Sequence, residues 1–126
     1  MNEERFIHIG CDSTQREQQS KIICLCGSTR FREAFEQAQT LEEKKGNIVL
    51  SCEVYPRHPD GTWDIHRCSE DQKIRLDLLH LDKIRMCDEV FVLNVGGYIG
   101  PSTRNEINYA KALGKPCRYW EKEVKP

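Results

Sequence analysis

Lys21-Ile22-Ile23-Cys24-Leu25-Cys26-Gly27-Ser28-Thr29-Arg30 is the stretch on which the fold turns. Its apolar run, Ile22 to Cys26, is unbroken and ends on a glycine. A short segment that is apolar throughout suits a strand buried on both faces, as in a parallel sheet. A half-solvated antiparallel strand would alternate instead. Past the glycine the period changes. Phe31, Phe35, Ala38 and Leu41 recur at helical spacing and Gly46 stops them, so the spacing predicts a helix over 31–45. A strand, a tight Gly-Ser-Thr-Arg loop and a helix make the first half of a βαβ unit.

The same alternation continues down the chain. Asn47-Ile48-Val49-Leu50-Ser51-Cys52 reads as a second strand. A long segment follows with Tyr55, Pro56, Pro59, Asp60, Gly61 and Trp63, a length typical of a lid or binding loop. Ser69-Glu70-Asp71-Gln72 is a capping-box pattern that opens a helix running to about Met86. Glu89 to Val95 is the third strand, followed by a glycine loop and a helix over 103–113 that Gly114 ends. Lys115 to Trp120 is the last strand, suited to a sheet edge by Pro116. Residues 1–20, polar apart from Phe6-Ile7-His8-Ile9, read as an arm or an extra edge strand.

This order predicts an α/β fold: a flavodoxin- or Rossmann-like three-layer sandwich on a mostly parallel sheet of four to five strands, one domain over 21–126. The second strand should lie outermost, then the first, third and fourth. The first and third strands are then neighbours, and the crevice at their carboxyl ends is where ligands bind in such sheets.

Composition sets the outer limits. The chain has 126 residues, 38% hydrophobic and 31% charged, with a net charge of -1. That is an ordinary globular balance, and it gives no electrostatic case for a nucleic-acid polymer or a membrane surface as partner. No apolar run approaches a bilayer span. The start, Met1-Asn2-Glu3-Glu4-Arg5, is acidic and leads into no long apolar core, unlike a signal peptide, so a cytoplasmic location is expected. The seven cysteines are odd in number and are expected to be reduced. Cys24, Cys26 and Cys52 read as small core residues. A zinc site from Cys52, His58, His66 and Cys68 lacks any Cys-x-x-Cys pair, so neither metal nor cofactor is expected.

Two loops carry the candidate chemistry. In Gly27-Ser28-Thr29-Arg30 the glycine admits a ligand close to the backbone, the following helix start favours an anion, and Arg30 offers a forked phosphate partner. The plain alternative is a capped turn with a solvated arginine. The second loop is Asn94-Val95-Gly96-Gly97-Tyr98-Ile99-Gly100-Pro101-Ser102-Thr103-Arg104-Asn105-Glu106. Its glycines and proline specify one backbone path, and Glu106 falls in the first turn of the next helix. Thr103-x-x-Glu106 is also a capping box, and spacing alone favours that reading. On the middle helix Asp77, His80 and Ile84 share a stripe beside Ile74, Leu78 and Leu81. The first two could handle a proton, or the flank could simply be solvated or packed on another subunit.

These residues resemble the nucleoside 2-deoxyribosyltransferase superfamily, which includes nucleoside 5′-monophosphate N-glycosidases. The resemblance spans about residues 21–120 and rests on Gly27-Ser28-Thr29-Arg30, on Asp88-Glu89-Val90-Phe91-Val92, and on Gly96 to Lys115. Within the last, Ser102-Thr103-Arg104-Asn105-Glu106-Ile107-Asn108-Tyr109-Ala110 is similar to the helix start that carries the family's nucleophilic glutamate. The resemblance implies Glu106 as nucleophile on an anomeric carbon. Ser28, Arg30 and Ser102 would hold phosphate or sugar hydroxyls, and Tyr98 would pack on base or ribose. Gly27, Thr29, Asn94, Gly96, Gly97, Gly100 and Thr103 would complete the binding loops. The chain departs from the family at two acids. One position falls near His80, flanked by Asp77 and Asp82, so His80 stands in for the leaving-group acid; the other is Gly100. The segment Asn94 to Gly100 is similar to a phage and bacterial branch of the superfamily. The expected partner is a small nucleoside or nucleotide, and the expected assembly a homodimer or higher homo-oligomer. The competing expectation is a non-catalytic nucleotide-binding or sensing module on the same fold.

Overall fold

The structure is a computed structural model that describes residues 19–52, 58–60, 62, 64 and 66–122. The proposed arm up to Ser20 lies almost wholly outside these residues, as do Tyr55 and Trp63 of the long segment.

Strand β1 (Ile22–Cys26) leads into helix α1 (Arg32–Lys44) and strand β2 (Ile48–Leu50); helix α2 (Glu70–Met86), strand β3 (Glu89–Val92), helix α3 (Pro101–Ala112) and strand β4 (Cys117–Tyr119) follow. The sheet is all parallel in the order β2-β1-β3-β4. This is the predicted α/β, Rossmann- or flavodoxin-like arrangement. The apolar runs decide it, because a central strand must offer side chains to two layers at once. In β1 the alternation divides them. Ile23 and Leu25 pack with Ala34, Phe35 and Ala38 of α1. Cys24 and Cys26 pack on the opposite face with Ile84 of α2 and Ile107 and Ala110 of α3.

Local signals fix the helix ends. Ser69 Oγ accepts from the Gln72 N–H at 3.2 Å while Gln72 Oε1 accepts from the Ser69 N–H at 2.9 Å, so the capping box at α2 is complete. Gly46 closes α1 at φ 90°, a left-handed conformation that favours glycine. Among the described residues no helix is long and apolar enough to cross a membrane.

Two boundaries differ from the sequence reading. The third strand stops at Val92, and Val95–Gly97 form a single 3₁₀ turn. Gly96 and Gly97 adopt positive φ there, which bends the chain out of the sheet plane. The last helix begins at Pro101, with Gly100 as its N-cap and no side-chain cap. Proline at the first helical position is pre-set for that role. Thr103 is therefore inside the helix and Glu106 falls in the second turn, which removes the Thr103–Glu106 capping box.

Gly27 sits where the β1 loop meets β3. A Cβ there would lie 3.1 Å from the Leu93 carbonyl oxygen and 3.2 Å from Leu93 Cβ. Backbone cannot swing aside as a long side chain can. Gly27→Ala should therefore cost about 1–3 kcal/mol, read as a lower midpoint in urea unfolding. A midpoint equal to wild type would show slack between the loop and β3.

Candidate active site

The carboxyl ends of β1 and β3 open into a small cleft with a cavity volume of about 130 Å³. Gly27, Ser28 and Thr29 form one wall. Tyr98, Gly100, Ser102 and Thr103 form the other, with Glu106 below them. Asp77 enters from α2. The topology brings these predicted residues together because both loops leave neighbouring strands on the same edge.

The remaining predicted residues stand elsewhere. Arg30 is exposed at the rim: its Nε donates to Ser28 Oγ at 3.1 Å, and its guanidinium lies 5.1 Å from the centre of the Tyr98 ring. Asn94 is buried and forms a latch. Its Nδ2 donates to the Glu121 carbonyl at 3.3 Å, and its Oδ1 accepts from the Glu121 N–H at 2.9 Å. The Gly96 N–H donates to Glu121 Oε2 at 2.7 Å, so that turn fastens the chain after β4. Gly97 belongs to the same turn.

Three lining residues were missed by the sequence reading: Lys73, Cys52 and Pro101. Lys73 lies one helical turn before Asp77, and its Nζ reaches Asp77 Oδ2 at 3.1 Å. The i, i+4 spacing was legible, but nothing in it said that the pair faces a cleft.

Glu106 is the chemical centre of the cleft floor. Its side chain keeps 15% exposure, and Oε1 has no hydrogen-bond partner. His80 lies beneath it, almost wholly buried, with Nε2 3.8 Å from Glu106 Oε1. Burial pushes the Glu106 carboxyl above its ordinary value, against the pull of the His80 ring. His80 itself responds oppositely: burial alone would lower it, but neighbouring thiols and Glu106 hold it well above the usual imidazole range. The result is a carboxylate that lines the cleft floor, with Oε1 buried beside the His80 ring. His80 thus touches Glu106 and is not part of the cleft lining.

Comparison with protein-family models, with curated proteins and with solved structures gives no match for the chain.

The site must therefore be read from its own groups. The four residues Cys52, His58, His66 and Cys68 do not gather: His58 faces Asp64 at 3.9 Å, while Cys52 Sγ approaches His80 Nε2 at 3.8 Å. Among the described residues the group with metal-ligand spacing is Cys24, Cys26 and His80. Gly100 also has a neighbour that explains it. A Cβ there would sit 2.8 Å from the Tyr98 hydroxyl, so that hydroxyl occupies the space a side chain at position 100 would need.

Proposed function

We propose that the protein cleaves or exchanges the N-glycosidic bond of a nucleoside or nucleoside 5′-monophosphate, with the Glu106 carboxylate as nucleophile. The observation that carries this reading is the buried Glu106 oxygen without a hydrogen-bond partner at the floor of an open cleft. A carboxylate that merely capped a helix would spend its oxygens on backbone N–H groups.

The chemistry follows from the positions. Glu106 attacks the anomeric carbon as the carbon–nitrogen bond breaks, and the electron pair leaves on the base nitrogen, which takes up a proton. The Tyr98 hydroxyl and the Lys73 ammonium are groups of the cleft lining that carry a proton to donate near that nitrogen. Water, or a second base, then displaces the sugar from Glu106 and restores the carboxylate. A 5′-phosphate fits the end where Ser28 and Thr29 meet the first turn of α3, whose N–H groups and hydroxyls are anion donors. His80 acts through Glu106 as a positioning residue.

Two observations favour a second reading, a nucleotide-binding or sensing module. Position 100 has no side chain, and Asp77 is already paired with Lys73. Chromatographic assay of free base from a panel of nucleosides and 5′-monophosphates separates the two. The enzyme reading expects release from one substrate class. Thermal stabilisation by a monophosphate without release moves the function to binding, and neither effect ends both readings.

The same reading includes self-association. Helix α2 leaves Ile74, Leu78, Leu79 and Met86 exposed, on faces turned away from the sheet and beside Asp77. A helix apolar on most sides is normally covered. Light scattering should give a multiple of 14.7 kDa for the wild type and 14.7 kDa for Leu78→Glu. A monomeric wild type removes this part of the reading.

A further inference from the structure

We propose that Cys24, Cys26 and His80 form a site for a zinc-class divalent cation beneath the cleft floor. Strand alternation places Cys24 and Cys26 on one face of β1, the face covered by α2 and α3. Helix α2 brings His80 down onto them, and Cys52 arrives just past β2, the strand next to β1. His80 Nε2 is then 3.4 Å from Cys26 Sγ and 3.8 Å from both Cys24 Sγ and Cys52 Sγ. The donor atoms of Cys24, Cys26 and His80 all lie within 4.8 Å of one another. Tetrahedral zinc, with bonds of about 2.3 Å to sulfur and about 2.0–2.1 Å to nitrogen, separates neighbouring S and N donors by roughly 3.6 Å. The three observed separations bracket that figure.

The imidazole does not serve the cluster alone, since Cys24 and Cys52 Sγ also approach the Leu25 carbonyl at 3.9 and 3.6 Å. One imidazole nitrogen offers either one N–H or one lone pair, and here it faces three sulfurs. A thiol is a weak donor and a weak acceptor, so two of the three gain little from the ring. His80 Nδ1, also buried, has no hydrogen-bond partner. A cation bonded to Nε2 and the two β1 sulfurs gives these three donors one common partner, and mixed thiolate–imidazole sets select zinc over the hard cations. Loading releases the thiol protons and the His80 Nε2 proton to solvent and changes no oxidation state. The three buried donors would tie β1 to α2. It stands on the thiol–imidazole geometry whatever reaction Glu106 performs.

The test uses the full chain, reduced, stripped with chelator and reloaded with Zn²⁺ alone. The expected result is about one zinc retained per chain, with two of the seven thiols newly protected from a thiol-specific reagent. Cobalt(II) in its place should give the intense visible absorption of a tetrahedral thiolate complex. Cys24→Ser and His80→Gln should each weaken zinc binding at least about tenfold, while Cys117→Ser in β4 leaves it unchanged. Wild type that retains no zinc and shows no thiol protection overturns the proposal. So does zinc retained equally by Cys24→Ser and His80→Gln. The thiol-protection arm needs only the wild type, so a variant that fails to fold does not blunt the test.

Discussion

Glu106→Gln is expected to lower kcat/KM for base release by about 10⁴-fold, the scale on which loss of a single nucleophile acts. The amide keeps the shape of the carboxylate but cannot form the glycosyl ester. Substrate binding should change only a few-fold, because the proposed binding groups are the Ser28 and Ser102 side chains of the cleft lining. The pH dependence gives a second handle on the same residue. Attack needs the ionised carboxylate, and burial raises its pKa above 4.5. The wild-type rate should therefore climb with pH along an acid limb centred above 4.5. Stability should move the other way. A carboxyl whose native pKa is raised opposes folding once the pH exceeds its unfolded value, and the opposition is complete above the native value. Glu106→Gln should thus unfold at a temperature equal to or higher than wild type at pH 7, and lose that margin below about pH 4. An unchanged kcat/KM would remove Glu106 from the chemistry. A lower melting point would point instead to a structural carboxylate.

The second large effect is on stability and lies at the other end of the sheet. Glu42 is a fully buried acid on α1. It is met by Asn47 Nδ2 at 3.0 Å and by Arg118 of β4 at 3.1 Å, with Lys45 beside it. Arg118 also pairs with Glu89 and lies 4.3 Å from the centre of the Phe91 ring. Burial alone would raise the Glu42 carboxyl, but Asn47 and Arg118 outweigh it and hold it below its usual value. Arg118→Leu strips away the main cation and leaves the buried acid with Asn47 and a half-exposed lysine. Breaking a buried pair from one side costs about 3–5 kcal/mol. The surviving partners and the partial exposure of Arg118 reduce that to about 2–3 kcal/mol. In a chain of this size the midpoint should drop by roughly 10 °C. A lowered native pKa gives stability that is present above the unfolded value and lost as pH falls through the native one. The gap between wild type and Arg118→Leu should therefore narrow in acid. Glu42→Leu combined with Arg118→Leu should recover part of the loss, since no charge then stays buried alone. A single variant within 0.5 kcal/mol of wild type at pH 7 would show that Arg118 is a surface ion pair only.

The strands were legible because each is apolar on both faces, and the order β2-β1-β3-β4 followed from the crossovers that parallel pairing requires. The start of the last helix was not. Thr103-x-x-Glu106 mimics a capping box, while Gly100-Pro101 carries the stronger signal, a proline at the first helical position. Choosing the proline would have placed Glu106 in the second turn, too deep to cap the helix. Cys24 and Cys26 were read as small core residues. Their i, i+2 spacing did imply two thiols on one face, but sequence could not say that α2 would set an imidazole against them. Asn94 and Gly96 look like ligand-loop residues in sequence because a chain-fastening turn and a phosphate loop use the same small, polar alphabet. Only their contacts with Glu121 tell the two apart.

The placement of β1 at the centre of the sheet also governs how the chain matures on the ribosome. Its Ile22 N–H donates to Asp88 Oδ2 across 66 positions, and its β3 partners begin at Glu89. At translation rates of about 5–20 residues per second, β1 waits roughly 3–13 s for that neighbour to be made. During the wait Ile22-Ile23-Cys24-Leu25-Cys26 is a short, uncharged, strand-prone segment with an unsatisfied edge, the composition most prone to sticking to copies of itself. Lys21 before it and Arg30 after its loop are charges of the kind that guard such segments in nascent chains. Removing both should lower soluble yield without changing the stability of the folded protein that is recovered.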